Sequence, residues 1–438
     1  MAQAERSDRD RYLRLLMWLL VPAAFFNGFD GELRALLLPQ LEQTFHVRVA
    51  ELGLANIPIG AGQFAAFFVI RLADRVGRRP FLLVSLVGYA CCTALSAAAF
   101  NLWSFAAFQS LSQLFLGAEY ALAALVVLEE FPPERRGRAL GRLLIAGPAG
   151  VVATGMLLAA GLGGTSLGWR AFYLVGLAPA LALGAARRLV RETRVFEESG
   201  ANRRAQSSLR AVLAPPWRRP LLALGAISLL EKIPATAGAG WWVFYAEREQ
   251  HLPTSLVSLD LAAAFALGSS GYYVCGRLID RFGRRPVATA YLVGGCGFGV
   301  ALFQSSSEAG NFAFLVLAVF FGLGIGPALS ALANESFPTP LRAQGAALIG
   351  NGFANTGELA GPALVGILGG AGGALGSIGT AVSALAVLML VAIPILWCCV
   401  AETRGAALDE RVGRAARDRD GPVGQPAFGS TAAGAEAR

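Results

Sequence analysis

The chain has 438 residues, 55% of them apolar and 15% charged, with a mean hydropathy of +0.55 and a formal net charge of +8. A water-soluble protein carries about one quarter charged residues, so this composition excludes a set of soluble domains. The hydropathy excludes a disordered chain, and 53 glycines without a triplet period exclude collagen.

A helix that crosses a bilayer needs ~20 mostly apolar residues. Taken in chain order, twelve stretches meet that requirement: 14–39, 51–72, 81–100, 103–128, 140–162, 169–189, 221–246, 256–278, 287–303, 311–333, 344–368 and 375–399. The first is too long and too soon interrupted by charge for a cleaved signal peptide, so it is expected to be retained. The high glycine content fits helices that approach closely in lipid. The expected organisation is an N-terminus at 1–13, a six-helix bundle at 14–190, a polar loop at 191–219, a second six-helix bundle at 220–400 and a polar tail at 401–438.

Of the 37 basic residues, 36 are Arg and one is Lys232, and they fall in bursts between the apolar runs. With both chain ends on the cytoplasmic side, 32 arginines share that side, and only Arg48, Arg170 and Arg248 lie opposite. Arg and Lys accumulate on the cytoplasmic side of membrane proteins, which predicts a multi-pass protein of the inner or plasma membrane with cytoplasmic termini. The same distribution argues against a nucleic-acid partner. The six Cys lie inside apolar runs without metal-ligand spacing, and His46 and His251 are far apart. No metal, cofactor or disulfide framework is expected. No nucleophile–base pair appears, so an enzyme is not expected.

The chain repeats itself. Arg71-Leu-Ala-Asp74-Arg75-Val-Gly77-Arg78-Arg79-Pro80 recurs as Arg277-Leu-Ile-Asp280-Arg281-Phe-Gly283-Arg284-Arg285-Pro286, 206 residues later. Glu129-x-x-Pro132-x-x-x-Arg136 recurs as Glu335-x-x-Pro338-x-x-x-Arg342 at the same offset, and Glu192-Thr-Arg194 recurs as Glu402-Thr-Arg404. Matched motifs at a near-constant spacing mark two halves of one ancestry.

These motifs resemble those of the major facilitator superfamily of secondary transporters, over nearly the whole chain. The Gly-x-Leu-x-Asp-Arg-x-Gly-Arg-Arg loop is complete in the second copy, from Gly276 to Arg285, while Ile70 replaces the leading Gly of the first. The Glu-x-x-Pro-x-x-x-Arg loops and Glu-Thr-Arg resemble the sugar-porter and metabolite–proton symporter branches. The resemblance implies an all-α membrane protein of twelve transmembrane helices in two pseudo-symmetric bundles. It implies a gating role for Asp74, Arg75, Gly77, Arg78, Arg79 and their counterparts Asp280, Arg281, Gly283, Arg284 and Arg285. Glu129, Arg136, Glu335 and Arg342 would form the adjoining charge network. The alternative for the individual Arg residues is a topology signal alone.

Ionisable residues at membrane depth are costly, about 2.5–3.5 kcal/mol each on insertion scales, and so mark candidate sites. The first span carries Asp30, Glu32 and Arg34, the fourth Glu119, the seventh Glu231 and Lys232, and the eleventh Glu358. Asn27-Gly-Phe-Asp30 resembles a signature of aromatic-acid–proton symporters, with Asn27 in place of an Asp. Asp30 is therefore a candidate proton or substrate contact, or the partner of Arg34 one turn on. Gly117-Ala-Glu119-Tyr120 resembles the metabolite–proton symporter stretch, but Gln109 stands where those proteins carry Arg.

Adjacent helical residues point ~100° apart, so Glu231 and Lys232 are expected to seek separate partners, Lys232 pairing with a distant carboxylate or an anionic substrate. Trp241-Trp242-x-Phe244-Tyr245 is expected at a headgroup belt, or else at the mouth of the pathway. Gly147-Pro148 and Gly361-Pro362 read as helix kinks rather than an export motif.

The expectation is a monomeric secondary transporter taking up a small organic anion with protons. The pathway residues would be Asp30, Arg34, Glu119, Glu231, Lys232 and Glu358. The rivals are a proton-coupled efflux carrier for an amphipathic compound and a non-transporting nutrient sensor on the same scaffold.

Overall fold

The computed structural model describes residues 2–76, 78–187, 212–370 and 372–403. Gly77, most of the predicted central loop and most of the tail lie outside the described residues, as do the side chains of Asp74, Arg75, Arg78 and Arg136.

All regular structure among the described residues is helical. In the first half the passes are Ala2–Phe45, Val49–Val76, Arg78–Ala97, Leu102–Glu130, Pro133–Ala159, and Arg170–Val175 continued by Leu177–Ala186. In the second they are Pro215–Arg248, Thr254–Gly268 with Ser270–Phe282, Arg284–Gln304, and Glu308–Gly324 with Gly326–Glu335. The eleventh runs Thr339–Ala347, through a π-helical turn at Leu348–Ala354, to Asn355–Gly369, and the twelfth is Ile378–Ala386 with Leu388–Cys399.

Local chemistry sets several starts and breaks. Asn101 and Ser104 form a reciprocal capping box at the fourth pass, the Ser104 N–H donating to Asn101 Oδ1 at 2.7 Å. Pro132 and Pro338, 206 residues apart, stand at the N-caps of the fifth and eleventh. The breaks at Gly176 and Ile325 precede Pro179 and Pro327, whose missing N–H groups deprive the carbonyls four residues earlier of partners.

Packing repeats between the halves. The first pass packs on the fifth, the second on the fourth, and the third on the fourth and sixth. The seventh packs on the eleventh, the eighth on the tenth, and the ninth on the tenth and twelfth. The halves meet through the second and eleventh, the fifth and eighth, and the first and seventh passes. Each of these pairs maps onto itself or another when every index moves by six, which is the signature of a pseudo-two-fold axis. The offset reaches individual residues. Glu42 and Arg248, 206 positions apart, pair with each other at 2.5 Å, and His46 and His251 each take positive φ, 52° and 56°, just past the first and seventh passes.

The two ends differ. At the arginine-poor end one core joins both halves, with Leu33, Leu37, Phe105 and Trp169 beside Trp241, Trp242 and Tyr245. At the arginine-rich end each half keeps a core of its own. The halves are thus sealed together at one end and part toward the other. Gly53 and Gly366 set the seal, because a β-carbon on Gly53 would stand 2.6 Å from the Gly366 Cα. Backbones approach that closely in a bilayer only across small residues.

The aromatic cluster of the seventh pass corrects an expectation. Trp241, Trp242, Phe244 and Tyr245 are buried, not set at a headgroup belt. They lie where the seventh pass is enclosed at the sealed end. Trp241 Nε1 donates to the Pro362 carbonyl at 3.0 Å, and the Tyr245 hydroxyl to that of Phe303 at 2.8 Å. These bonds satisfy the polar atoms of Trp241 and Tyr245, while the buried Trp242 Nε1 makes no hydrogen bond.

Candidate functional site

Between the halves lies a cavity of about 450 Å³, lined by the first, second, fourth, seventh and eleventh passes. Its charged residues are Glu32, Arg34 and Glu358. The polar lining adds Asn27, Asn56, Gln63, Gln113, Thr236, Asn351 and Asn355, and the apolar walls include Leu38, Ile59, Leu116 and Leu359. Helical spacing explains the first pass, since Asn27, Gly31, Arg34, Ala35 and Leu38 repeat at three and four residues and share a face.

Some of these groups are already engaged. Gln63 Nε2 donates to Glu358 Oε2 at 3.1 Å, a bond that crosses from one half to the other. Asn27 donates to the Leu116 carbonyl at 3.4 Å and Asn56 to that of Leu52 at 2.9 Å. Among the described residues, Arg34 has no ion-pair partner within 4.0 Å, and Gln113, Asn351 and Asn355 make no side-chain hydrogen bond. The eleventh pass widens to π-helical geometry at Leu348–Ala354, which includes Asn351 and ends immediately before Asn355. Single π-turns of this kind recur at functional sites.

The other sequence candidates lie elsewhere. Asp30 is buried inside the N-terminal half, where Thr93 Oγ1 donates to it at 3.0 Å and the Thr93 and Ser112 hydroxyls meet at 2.8 Å. Gln109, one turn before Ser112, is also buried and donates to Ser96 Oγ at 3.0 Å. Glu119 faces away from the cavity into a buried ion pair with Arg187 at 2.5 Å, with Ser85 Oγ donating to its Oε2 at 2.8 Å. Arg187 lies near the end of the sixth predicted span and is counted only among the arginines of the cytoplasmic side, yet its side chain is 1% exposed.

Glu231 is buried and Lys232 half-buried, and neither lines the cavity. Their adjacent side chains do approach, with Lys232 Nζ 3.8 Å from Glu231 Oε2. That corrects the expectation of separate partners. The flexible lysine stem bends back, although the distance exceeds a hydrogen bond.

Of the two copies of the repeated loop, the second is the one whose side chains the structure describes throughout. Gly283 takes φ +99°, a region that favours glycine, and turns the chain from the eighth pass into the ninth. The Glu402 carboxylate then accepts the backbone N–H groups of Arg284 and Arg285, each at 2.9 Å, and caps the ninth helix at its positive end. Arg284 forks onto Glu335 at 2.9 and 3.1 Å, and Arg285 lies 4.4 Å over the Trp397 ring while donating to the Trp397 carbonyl at 2.7 Å. Asp280 and Arg281 are exposed, as is Arg79 in the first copy. Glu129 and Arg342 are partly buried at the same end. The signal for Glu402 was present in its Glu-Thr-Arg motif.

Comparison with known proteins fits this architecture. The Major Facilitator Superfamily model matches residues 20–350 and 235–423. The chain belongs to the Major Facilitator Superfamily. It is 26% identical over 422 residues to a probable 4-methylmuconolactone transporter of Cupriavidus pinatubonensis, covering 94% of this chain and 95% of the relative. It is 26% identical to a gallate transporter of Pseudomonas putida, over 82% of this chain and 88% of that one. Among solved structures, it is similar to a bacterial homologue of the human lysosomal transporter Spinster in an inward-facing, occupied conformation. That match has a TM-score of 0.74 and 16% identity, covering 89% of this chain and 97% of the other. A D-xylose–proton symporter matches with a TM-score of 0.72 and 16% identity, over 90% of this chain and 100% of the symporter. The protein is a multi-pass membrane transporter of this superfamily, not an enzyme.

Proposed function

We propose that this Major Facilitator Superfamily transporter takes up a small hydroxylated or aromatic-derived organic acid together with a proton, by rocking its halves about the central cavity. The observation that carries the reading is Arg34, a guanidinium without an ion-pair partner among the described residues, in a cavity of metabolite size. A guanidinium binds a carboxylate through two parallel charge-assisted bonds. Gln113, Asn351 and Asn355 supply free amides for hydroxyl or carbonyl groups. The relatives named for gallate, gentisate, 3-(3-hydroxy-phenyl)propionate and 4-methylmuconolactone support this substrate class.

The charge inventory supports proton coupling. Two carboxylates, Glu32 and Glu358, face one cation, Arg34. With all three ionised the cavity repels a further anion, and with one carboxylate protonated it accepts it. Anion and proton therefore bind better together than apart, which is the linkage a symporter needs. Glu358 is the favoured proton carrier because its bond to Gln63 bridges the halves, so its protonation state bears on their separation. Asp30, behind the cavity wall, orders the N-terminal half, and Lys232, outside the cavity lining, faces Glu231. The arginine-rich end and both termini face the cytoplasm in this reading, so the described conformation is open inward.

The test is uptake into proteoliposomes under an imposed proton gradient, screened over hydroxybenzoates and lactone acids. Uptake driven by inward proton flow, abolished as gradient-driven accumulation but retained as exchange in Glu358→Gln, is the expected outcome. Accumulation against an opposite gradient would make the protein an exporter, and binding without flux would make it a sensor.

A further inference from the structure

Beyond the central pathway, the first and fifth passes enclose a second concavity of about 860 Å³ at the arginine-rich end of the N-terminal half. On the first pass its lining repeats at residues 10, 13, 14, 17, 18, 21 and 22, and on the fifth at 135, 138, 139, 142 and 145. Each set is one helical stripe. Both passes enter the bilayer from the same end, so the groove grades from charged at its mouth to apolar at depth.

At the mouth, Arg135 is held by Asp10 at 2.9 Å. Arg14, Arg138 and Arg142 are exposed and have no ion-pair partner within 4.0 Å among the described residues. Deeper lie Met17, Trp18 and Ile145, with Trp18 76% and Ile145 73% exposed. Three free guanidiniums followed by an apolar trough match the profile of an anionic phospholipid, with phosphate at the mouth and an acyl chain along the trough. Basic pockets between helices on the cytoplasmic side bind such headgroups, and cationic residues near the surface each add to the attraction.

Topology alone does not call for this arrangement, because the rule for loop arginines does not place three of them on converging faces of two helices. Nor does the internal symmetry. At the positions 206 residues on from Arg14, Arg138 and Arg142 stand Pro220, Gln344 and Leu348. We infer that this groove, whose three free arginines have no counterparts at the equivalent positions of the C-terminal half, is a binding site for one anionic phospholipid.

The experiment titrates phosphatidylglycerol and phosphatidylcholine into delipidated full-length protein in detergent and counts bound lipids by native mass spectrometry. One phosphatidylglycerol is expected to bind about tenfold or more tightly than phosphatidylcholine, and R14Q/R138Q/R142Q to erase that preference. A second arm leaves the arginines intact. Phosphatidylglycerol with brominated acyl chains should quench a tryptophan component that Trp18→Phe removes. Equal affinities for the two lipids, or a preference that survives the triple substitution, overturn the inference. So does quenching unchanged by Trp18→Phe, or glycerol phosphate without chains displacing the lipid at equal concentration.

Discussion

Arg187→Met tests whether Glu119 is a staple of the N-terminal bundle. The two side chains are 1% and 3% exposed and meet at 2.5 Å. Arg187 Nη1 also donates to the Leu82 carbonyl at 2.8 Å, so one guanidinium ties the sixth pass to the third and fourth. Removing it leaves Glu119 buried with the Ser85 hydroxyl alone, 2.8 Å away. Breaking a buried pair from one side costs about 3–5 kcal/mol, because the remaining charge is uncompensated. Replacing both members by apolar residues of similar size is close to neutral, or stabilising by about 1–4 kcal/mol. The expected results are a large loss for Arg187→Met, a similar loss for Glu119→Leu, and near wild-type stability for the double variant. Such strong non-additivity is expected of residues in direct contact. The assay is dodecyl sulfate unfolding of the purified protein, with proteoliposome uptake measured on the double variant. Uptake should keep its dependence on the proton gradient. A double variant as unstable as Arg187→Met would refute the staple, and a folded double variant that has lost proton dependence would return Glu119 to the pathway.

Three further outcomes follow from the geometry. Arg34→Gln removes the cavity cation, and at about 1.5–3 kcal/mol for a charge-assisted bond the affinity for an organic acid should fall roughly ten- to 150-fold; isothermal titration with an affinity unchanged by the substitution would end its role as anion contact. Gly53→Leu places a side chain where Gly366 Cα leaves no room, at about 1–3 kcal/mol of overpacking. Spin-label distances between the second and eleventh passes should lengthen at the arginine-poor end, and an unaltered distribution would refute the seal. Glu402→Ala strips the cap from the ninth helix, a loss of about 0.5–2 kcal/mol read by the same unfolding assay; no change there would show that the two N–H bonds contribute nothing.

The fold was legible because its signals are long and redundant. Apolar runs of bilayer length mark the passes, and the 206-residue repeat of Asp74 and Asp280 marks the halves, whereas the pairing of Glu42 with Arg248 across them is visible only in the structure. Arg34 and Glu358 could be singled out because a charge at membrane depth is conspicuous. Burial partners were not legible. Whether Glu119 faces the cavity or Arg187 depends on the azimuth of the fourth helix, and that span carries polar residues both inside the N-terminal half, at Gln109 and Ser112, and on the cavity, at Gln113, so its pattern singles out no one face. Trp241 and Trp242 failed for a related reason, since aromatic residues near a helix end suit both an interface and a core, and only the neighbouring helices decide between them.

The polar cavity residues escaped for a different physical reason. Carboxamides cost less than charges in a membrane helix and raise no alarm in a hydropathy reading, so Gln63, Gln113, Asn351 and Asn355 pass as tolerated polar residues. Yet in this fold they converge with Arg34 and Glu358 on one volume. A single guanidinium could hold any small anion, whereas a ring of amides around it rewards a particular placement of hydroxyls and penalises an analogue that leaves those amides unpaired. Arg34 would then set the class of substrate and the amides its identity. Asn351→Ala and Asn355→Ala should therefore change the ratio of affinities among hydroxybenzoates differing in ring substitution more than the affinity for benzoate itself. A uniform loss across the series would assign the π-helical turn to packing instead of recognition.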